Sequence, residues 1–424
     1  MAWIGLIPLL PLVITFLIFP AAGWVALRRL PPAWRMRAFM LVNILGAFAM
    51  CFAVPAKQMR FRYFRQFTQF VALAFAAYLL VLLIHYALVR CCAQRSGRWP
   101  VISFLFPIAV LIAVKYIPDD LNPAAPLLAA LGRRELAEFL VGISYMAFRL
   151  SHLALEVRNG IVAMPSISEY MSFGFFVPTL LIGPINPYST FRGSLDTVDR
   201  EAMPLGRCLL RLLIGLTKYL FAANLLNQLS YTGLLFDEHP HHWIDLPIAI
   251  VAFYLYLYAN FSGYCDMAIG AAGLLGIEVK ENFAAPFTAR NIQEFWSRWH
   301  ITLSTYMRDM VFSPLSKALG RRFAPRYMVH VIAICILIVF LLIGIWHGVG
   351  WNFVFFGLFQ GLGVVAVHYY THFLKKLGKA RYAAYHRSRV IHVLAICLTF
   401  SYVAVSLLFF NGLAAIRYIF QELR

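Results

Sequence analysis

Acidic side chains are scarce in this chain: 18 Asp and Glu stand against 37 Lys and Arg in 424 residues. Charged residues of both signs make up 13% of the sequence, while 62% is hydrophobic. A soluble domain of this length cannot cover so much apolar surface with so little charge. The seven cysteines form no Cys-x-x-Cys pair, and an odd number argues against a disulfide framework. There is also no Gly-x-Ser-x-Gly elbow and no convincing Ser-His-Asp order, which argues against a serine acyl-enzyme. The net charge of +19 raises the question of nucleic acid. The basic residues, however, cluster in short loops between apolar runs, the pattern of cytoplasmic loops beside anionic lipid. Membrane lipids, not nucleic acid, are the expected partner.

What is present is a succession of apolar windows, each close to the roughly 20 residues that cross a bilayer as helix. Candidate spans are 3–27, 38–54, 67–89, 101–117, 136–155, 170–186, 206–228, 246–275, 329–346, 351–373 and 390–411. The expected fold is therefore an all-α polytopic membrane protein of about eleven transmembrane helices, with no soluble domain of any size. Residues 1–27 are uncharged and precede Arg28, Arg29, Arg35 and Arg37. A secretory signal carries its positive charge ahead of the apolar core, so this reads as a first helix with the N-terminus outside. Loops 28–37, 57–65 and 90–98 are all basic and cannot all lie inside under strict alternation. One early span is then re-entrant, and 38–54 is the shortest candidate. Further on, Arg321, Arg322 and Arg326 form one basic loop, and Lys375, Lys376, Lys379, Arg381, Arg387 and Arg389 form another. Both are expected on the cytoplasmic side of the membrane, which places the C-terminus outside.

Two segments carry chemistry. From Tyr327 to Leu374 there is no Asp, Glu, Lys or Arg, yet Trp346-His347-Gly348 sits at the centre of this hairpin. A titratable imidazole at membrane depth is a functional-site hypothesis by default, with a hydrogen-bonded structural histidine as the alternative. Residues 276–326 are too polar to span and too aromatic for a solvated loop, and read as re-entrant or interfacial helix. Glu294 and Arg298 stand there at i, i+4 and can pair. His239, His241 and His242 have no helical spacing for a metal and read as a solvated loop.

The run from Asn291 to Asp309, containing Phe295-Trp296-Ser297-Arg298-Trp299-His300, is followed by Trp346-His347-Gly348. Together they resemble the membrane-bound O-acyltransferase family. Val141–Phe148, Phe176–Ile185 and Asn260–Gly270 agree with that resemblance, which covers 135–424 as a core behind N-terminal helices 1–134 in one integral-membrane domain, 1–424. Within the family the chain resembles the bacterial branch that moves D-alanyl or acetyl groups onto cell-envelope polymers. The resemblance implies helices ringed around a central funnel opening outward, with His300 and His347 near its floor. It also implies an acyl thioester as co-substrate, on an acyl carrier protein at the cytoplasmic face or as acyl-CoA, and no resident cofactor or metal. The acceptor is an extracytoplasmic polymer or a small relay protein.

The residues suit that chemistry on their own terms. Removing a hydroxyl proton needs a base, and an imidazole serves near pH 7; His347 is the expected base, with His300 as a second catalytic or orienting group. Oxyanion donors can come from His300, Asn352, Trp346 or Trp299. Arg298 and Arg308 can hold an anionic part of the donor, or simply pair with Glu294 and Asp309. Ser304 and Asp266 complete the substrate-binding candidates, Asp266 fitting equally well as a buried helix-packing group. Two other classes stay open at this stage: a transporter with a proton relay, and a haem protein using His347 with His368 or His372.

Overall fold

The computed structural model describes residues 9–56, 64–93, 95, 97, 99–116, 142–197, 205–236, 242–379, 382 and 387–422. Those residues are overwhelmingly helical, and the one β-type pairing among them is an isolated bridge between Phe283 and Trp299. Eight helical runs are long and apolar enough to cross a membrane, among the described residues. They are Pro11–Arg28, Pro32–Ala53, Val71–Cys92, Leu205–Leu235, Asp245–Leu274, Pro325–His347, Trp351–Lys376 and Arg389–Asn411.

Three of the expected spans account for the difference from eleven. Residues 101–115 of the expected span 101–117 fall on the helix Trp99–Lys115, which has only 17 residues and an internal Pro107. The described part of 136–155 is the helix Ile143–Arg158, which buries Arg149 and Glu156 and so is not a plain apolar span. Residues 170–186 are not one helix. The helix Ile167–Gly174 stops and a short 3-10 turn, Val177–Thr179, follows. The physical reason is Arg149, only 1% exposed. Its guanidinium donates to the carbonyls of Phe173 and Gly174 and to Thr179 Oγ1 at 3.1–3.3 Å. Carbonyls freed by a helix end must find donors, and this buried cation supplies them. Burial pushes the Arg149 guanidinium down to about 10, still charged at neutral pH. The expected re-entrant segment at 38–54 is also corrected: it lies within a continuous helix of 25 residues, Pro32–Ala56. Arg35 and Arg37 belong to the first turns of that helix, so the apolar stretch alone understated its length.

The chain divides into two compact units. One comprises Ala2–Leu216 and Gly263–Lys280, the other Thr217–Ser262 and Glu281–Arg424 with Met1. In the first, Arg211 and Asp266 form an ion pair at 3.1 Å. Glu156 there accepts the backbone N–H of Tyr188 and Ser189 and the Ser189 hydroxyl. These bonds and His152 hold its carboxyl below the usual range against the opposing effect of burial.

The second unit carries both motifs. It is built from α1 (Asp245–Leu274, of which the part up to Ser262 belongs here), α2 (Ile292–Arg298), α3 (Ile301–Met307), α4 (Met328–His347), α5 (Trp351–Lys376) and α6 (Arg389–Ser406). Helices α4 and α5 form the apolar hairpin and touch backbone to backbone. A Cβ built on Gly344 would meet the Phe353 carbonyl and stand 2.9 Å from Gly357 Cα. Only glycine allows this approach. Of residues 276–326, read from sequence as re-entrant or interfacial, those up to 320 form no run both long and apolar enough to cross a membrane, although 301–320 is helical throughout.

Candidate active site

His300 lies at the joint between α2 and α3, in the left-handed region at φ 47°, ψ 50°. A side chain with a Cβ is rarely held there without compensation. The compensation comes from the strand-like segment 282–284. Ala284 N–H donates to the Arg298 carbonyl, and Ile301 N–H to the Asn282 carbonyl, both at 3.0 Å. The joint thus turns the chain sharply and drives the imidazole inward, where it is 3% exposed.

Around that ring the walls are aromatic. Phe261 meets it edge-to-face at 4.8 Å between centroids, and Trp346 at 6.2 Å. Trp346 in turn packs 4.8 Å from His347, at the C-terminal end of α4. The two histidines that the sequence placed far apart are therefore both gathered against one indole. His347 is partly exposed and is flanked by Phe356 at 5.6 Å and Phe410 at 5.2 Å. Burial first, and the adjacent His347 second, push the His300 imidazole down to about 3. It is neutral at pH 7, and its Nε2 has no hydrogen-bond partner among the described residues. Ser304, one turn further along α3, also has a buried hydroxyl without a partner.

The remaining candidates divide. Trp299 stacks on Phe295 and meets Phe283 edge-to-face at 5.0 Å, supporting the His300 joint from below. Asn352 donates to the Phe409 carbonyl at 2.9 Å, which ties the turn Leu407–Asn411 to the start of α5 and holds Phe410 against His347. Arg298 is engaged with Glu294 at 2.7 Å and with Thr288 Oγ1 at 2.8 Å. Arg308 is exposed and paired with Asp309 at 2.9 Å, which raises its already high proton affinity. Asp266 is occupied by Arg211 within the other unit, so its geometry is that of a helix-packing ion pair. His239 and His241 lie outside the described residues. Among the described residues no three His, Cys, Asp or Glu side chains are grouped to hold a metal ion. His368 bonds to the Val329 carbonyl, at the opposite end of α4 from His347 and so roughly 27 Å away along the helix. A haem held between His347 and His368 is excluded by that distance.

Sequence reasoning missed three contributors. Asn282 is fully buried and touches His300. Phe410 comes from a distant 3-10 turn. Gln360, 1% exposed, accepts the Trp296 indole N–H at 3.0 Å and donates to Ser406 Oγ at 2.7 Å, joining α2, α5 and α6. The one available signal was Gln360 itself, an amide in the middle of an apolar span.

The assembled site offers a buried, neutral imidazole acceptor and a second, partly exposed imidazole against the same indole, among aromatic side chains. That arrangement suits proton removal from a hydroxyl during acyl transfer. Comparison with known proteins agrees. Residues 34–409 match the sequence model of the membrane-bound O-acyltransferase family. The chain is 27% identical to the teichoic acid D-alanyltransferase of Streptococcus thermophilus, over 77% of this chain and 79% of that protein. It is 30% identical to the peptidoglycan O-acetyltransferase of Helicobacter pylori, over 63% of this chain and 49% of that protein. With the probable alginate O-acetylase AlgI of Azotobacter vinelandii the figures are 27%, 63% and 53%. The chain thus spans about half the length of these two O-acetyl relatives.

Proposed function

The chain belongs to the membrane-bound O-acyltransferase family, and from that premise we propose that it moves a D-alanyl group from a cytoplasmic thioester to a hydroxyl of a cell-envelope polymer outside the membrane, or of a small relay protein. That it is a multi-pass membrane acyltransferase follows from the family and the relatives. The observation that supports this reading is the approach of His300 and His347 to the same Trp346 ring, among aromatic side chains.

In this reading the acceptor hydroxyl attacks the thioester carbonyl directly. The C–O bond forms, the C–S bond breaks, and the hydroxyl proton passes to His347. The departing thiolate then takes that proton from His347, which returns the imidazole to its neutral form. His300, held near a pKa of 3, is a poor proton acceptor and works instead as a neutral hydrogen-bond acceptor that orients the reacting groups. Trp346, Ser304 and backbone N–H groups are the candidates to steady the oxyanion. Arg298, Trp299 and Asn352 hold the shape of the pocket through the partners described above.

The chain covers more of the D-alanyltransferase than of either O-acetyl relative, which favours D-alanyl. The higher identity to the peptidoglycan O-acetyltransferase supports acetyl transfer as the second reading. The donor is a carrier-protein thioester docking on exposed Arg321, Arg322 and Arg326 at the cytoplasmic face of a bacterial inner membrane. Both readings are separated by mild base treatment of envelopes from cells with and without this protein. Base-released D-alanine that depends on the protein supports the first, and base-released acetate supports the second. No difference in either ester overturns both.

A further inference from the structure

The side-chain oxygen of Asn282 is crowded with donors. It accepts the backbone N–H of Thr302 at 3.1 Å and the Thr302 hydroxyl at 2.7 Å, and it stands 3.3 Å from His300 Nδ1. The Asn282 carbonyl meanwhile accepts the N–H of Ile301 at 3.0 Å. A helix leaves its first N–H groups without intrahelical partners, and His300, which begins α3, supplies no side-chain cap. Asn282 therefore caps α3 from a separate segment, satisfying the first two N–H groups with its two oxygens.

That cap has a chemical consequence. A backbone N–H only donates, so the atom of Asn282 facing Thr302 N must be the amide oxygen and not the amide nitrogen. An oxygen that faces His300 Nδ1 is matched only if Nδ1 carries the proton. In a neutral ring the proton is then absent from Nε2. We propose that Asn282 is a positioning residue for the acyl transfer, fixing His300 as the Nδ1–H tautomer so that Nε2 presents a bare lone pair to the reacting groups. Nε2 is the atom that is buried without a protein partner. Among the described residues, Phe261 and Trp346 pack on the ring, and His347 is a titratable group close enough to affect its charge. Among the described residues no carboxylate shifts the His300 pKa, so the tautomer is set by a neutral amide and not by an ion pair. The cap and the tautomer are thus one device: the same oxygen that ends the strained joint also orients the proton. The catalytic part of the proposal rests on the orienting role given to His300 above; the tautomer does not.

The test separates them. Protein with 15N-labelled histidine in lipid vesicles is examined by solid-state NMR, His300 being assigned by difference from His300→Gln. The expected spectrum has a protonated Nδ1 and an unprotonated Nε2 for His300 at neutral pH. Asn282→Leu should lose that signature. Asn282→Asp, which retains an oxygen for Thr302 N–H, should retain the Nδ1 proton and serves as the folded control. Base-labile envelope esters are measured for the same variants. A wrong tautomer in histidine-dependent acyl transfer costs up to about 10⁴-fold, so Asn282→Leu should lose at least an order of magnitude. An Nε2–H tautomer in the wild type, or an unchanged spectrum in Asn282→Leu, overturns the assignment. The expected spectra with full ester levels in Asn282→Leu would leave the tautomer standing and remove His300 from the mechanism.

Discussion

Replacing Gly344 by alanine tests how tightly the site depends on the α4–α5 hairpin. The new Cβ would meet the Phe353 carbonyl and lie 2.9 Å from Gly357 Cα and 3.0 Å from Gly357 N. All three atoms are backbone, so no side-chain rotation relieves the clash. Carbon atoms in comfortable contact stand ~3.5–4.0 Å apart, so α5 must retreat by about 1 Å. Overpacking of this kind typically costs about 1–3 kcal/mol. The functional cost is larger, because α5 carries Phe356, which packs on His347, and Asn352, which holds Phe410 there. A misplacement of about 1 Å in a catalytic geometry can cost roughly 10²-fold in rate. Gly361→Ala is the comparison. Its Cβ would meet the Phe340 and Leu337 side chains at 3.0 and 3.3 Å, a smaller intrusion further from His347. Envelope esters at matched membrane abundance are expected to fall about 10²-fold for Gly344→Ala and only a few-fold for Gly361→Ala. Equal, near-normal ester levels in the two variants would refute the claim that hairpin spacing sets the site.

Gln360→Leu should leave the Trp296 indole N–H buried and unpaired, costing about 1–3 kcal/mol; an unchanged thermal midpoint in detergent would mean that the amide contributes nothing. Acid should destabilise the protein through His300, whose imidazole titrates near 6.5 in the unfolded chain but is held to about 3 when folded. Between those values the unfolded chain binds the proton that the folded chain refuses, so stability falls as pH drops below about 6.5. His300→Gln should flatten that part of the profile, and an identical slope in the variant would refute it. The proposed orientation is tested with single cysteines at Lys379 and Trp351 in a cysteine-free background, probed by a membrane-impermeant thiol reagent. Labelling at 351 and not at 379 in intact cells is expected, and the reverse would turn the topology over. Reversing Arg321 and Arg322 to Glu should weaken binding of purified carrier protein, most at low salt; equal affinity at low salt would remove these arginines from donor docking.

The features legible in the sequence were those carried by local pattern. Apolar runs announced the long helices because each span is a single uninterrupted stretch. The Glu294–Arg298 pair followed from i, i+4 spacing and forms at 2.7 Å. The two histidine motifs were legible as motifs, but nothing local said that His300 and His347 would both pack on Trp346. The features not legible depend on partners far away in the chain. The break after Gly174 exists because a guanidinium from another helix caps it, so residues 170–186 read as an apolar span when taken alone. Asn282 acts on His300 only because the backbone at His300 adopts a left-handed turn, and no periodicity in 276–326 signals that conformation. Phe410 lies beside His347 through the tie from Asn352, a contact between separate segments.

The central claim is that His347 removes the proton of the acceptor hydroxyl. It is tested most directly by His347→Ala in cells whose only copy is the variant, with base-labile D-alanine and acetate measured in the envelope and protein abundance matched in the membrane. Loss of a general base typically costs about 10²–10⁴-fold in rate, so the protein-dependent ester should fall by at least 10²-fold while insertion and abundance are retained. Ester levels within a few-fold of wild type would contradict the account and take His347 out of the reaction.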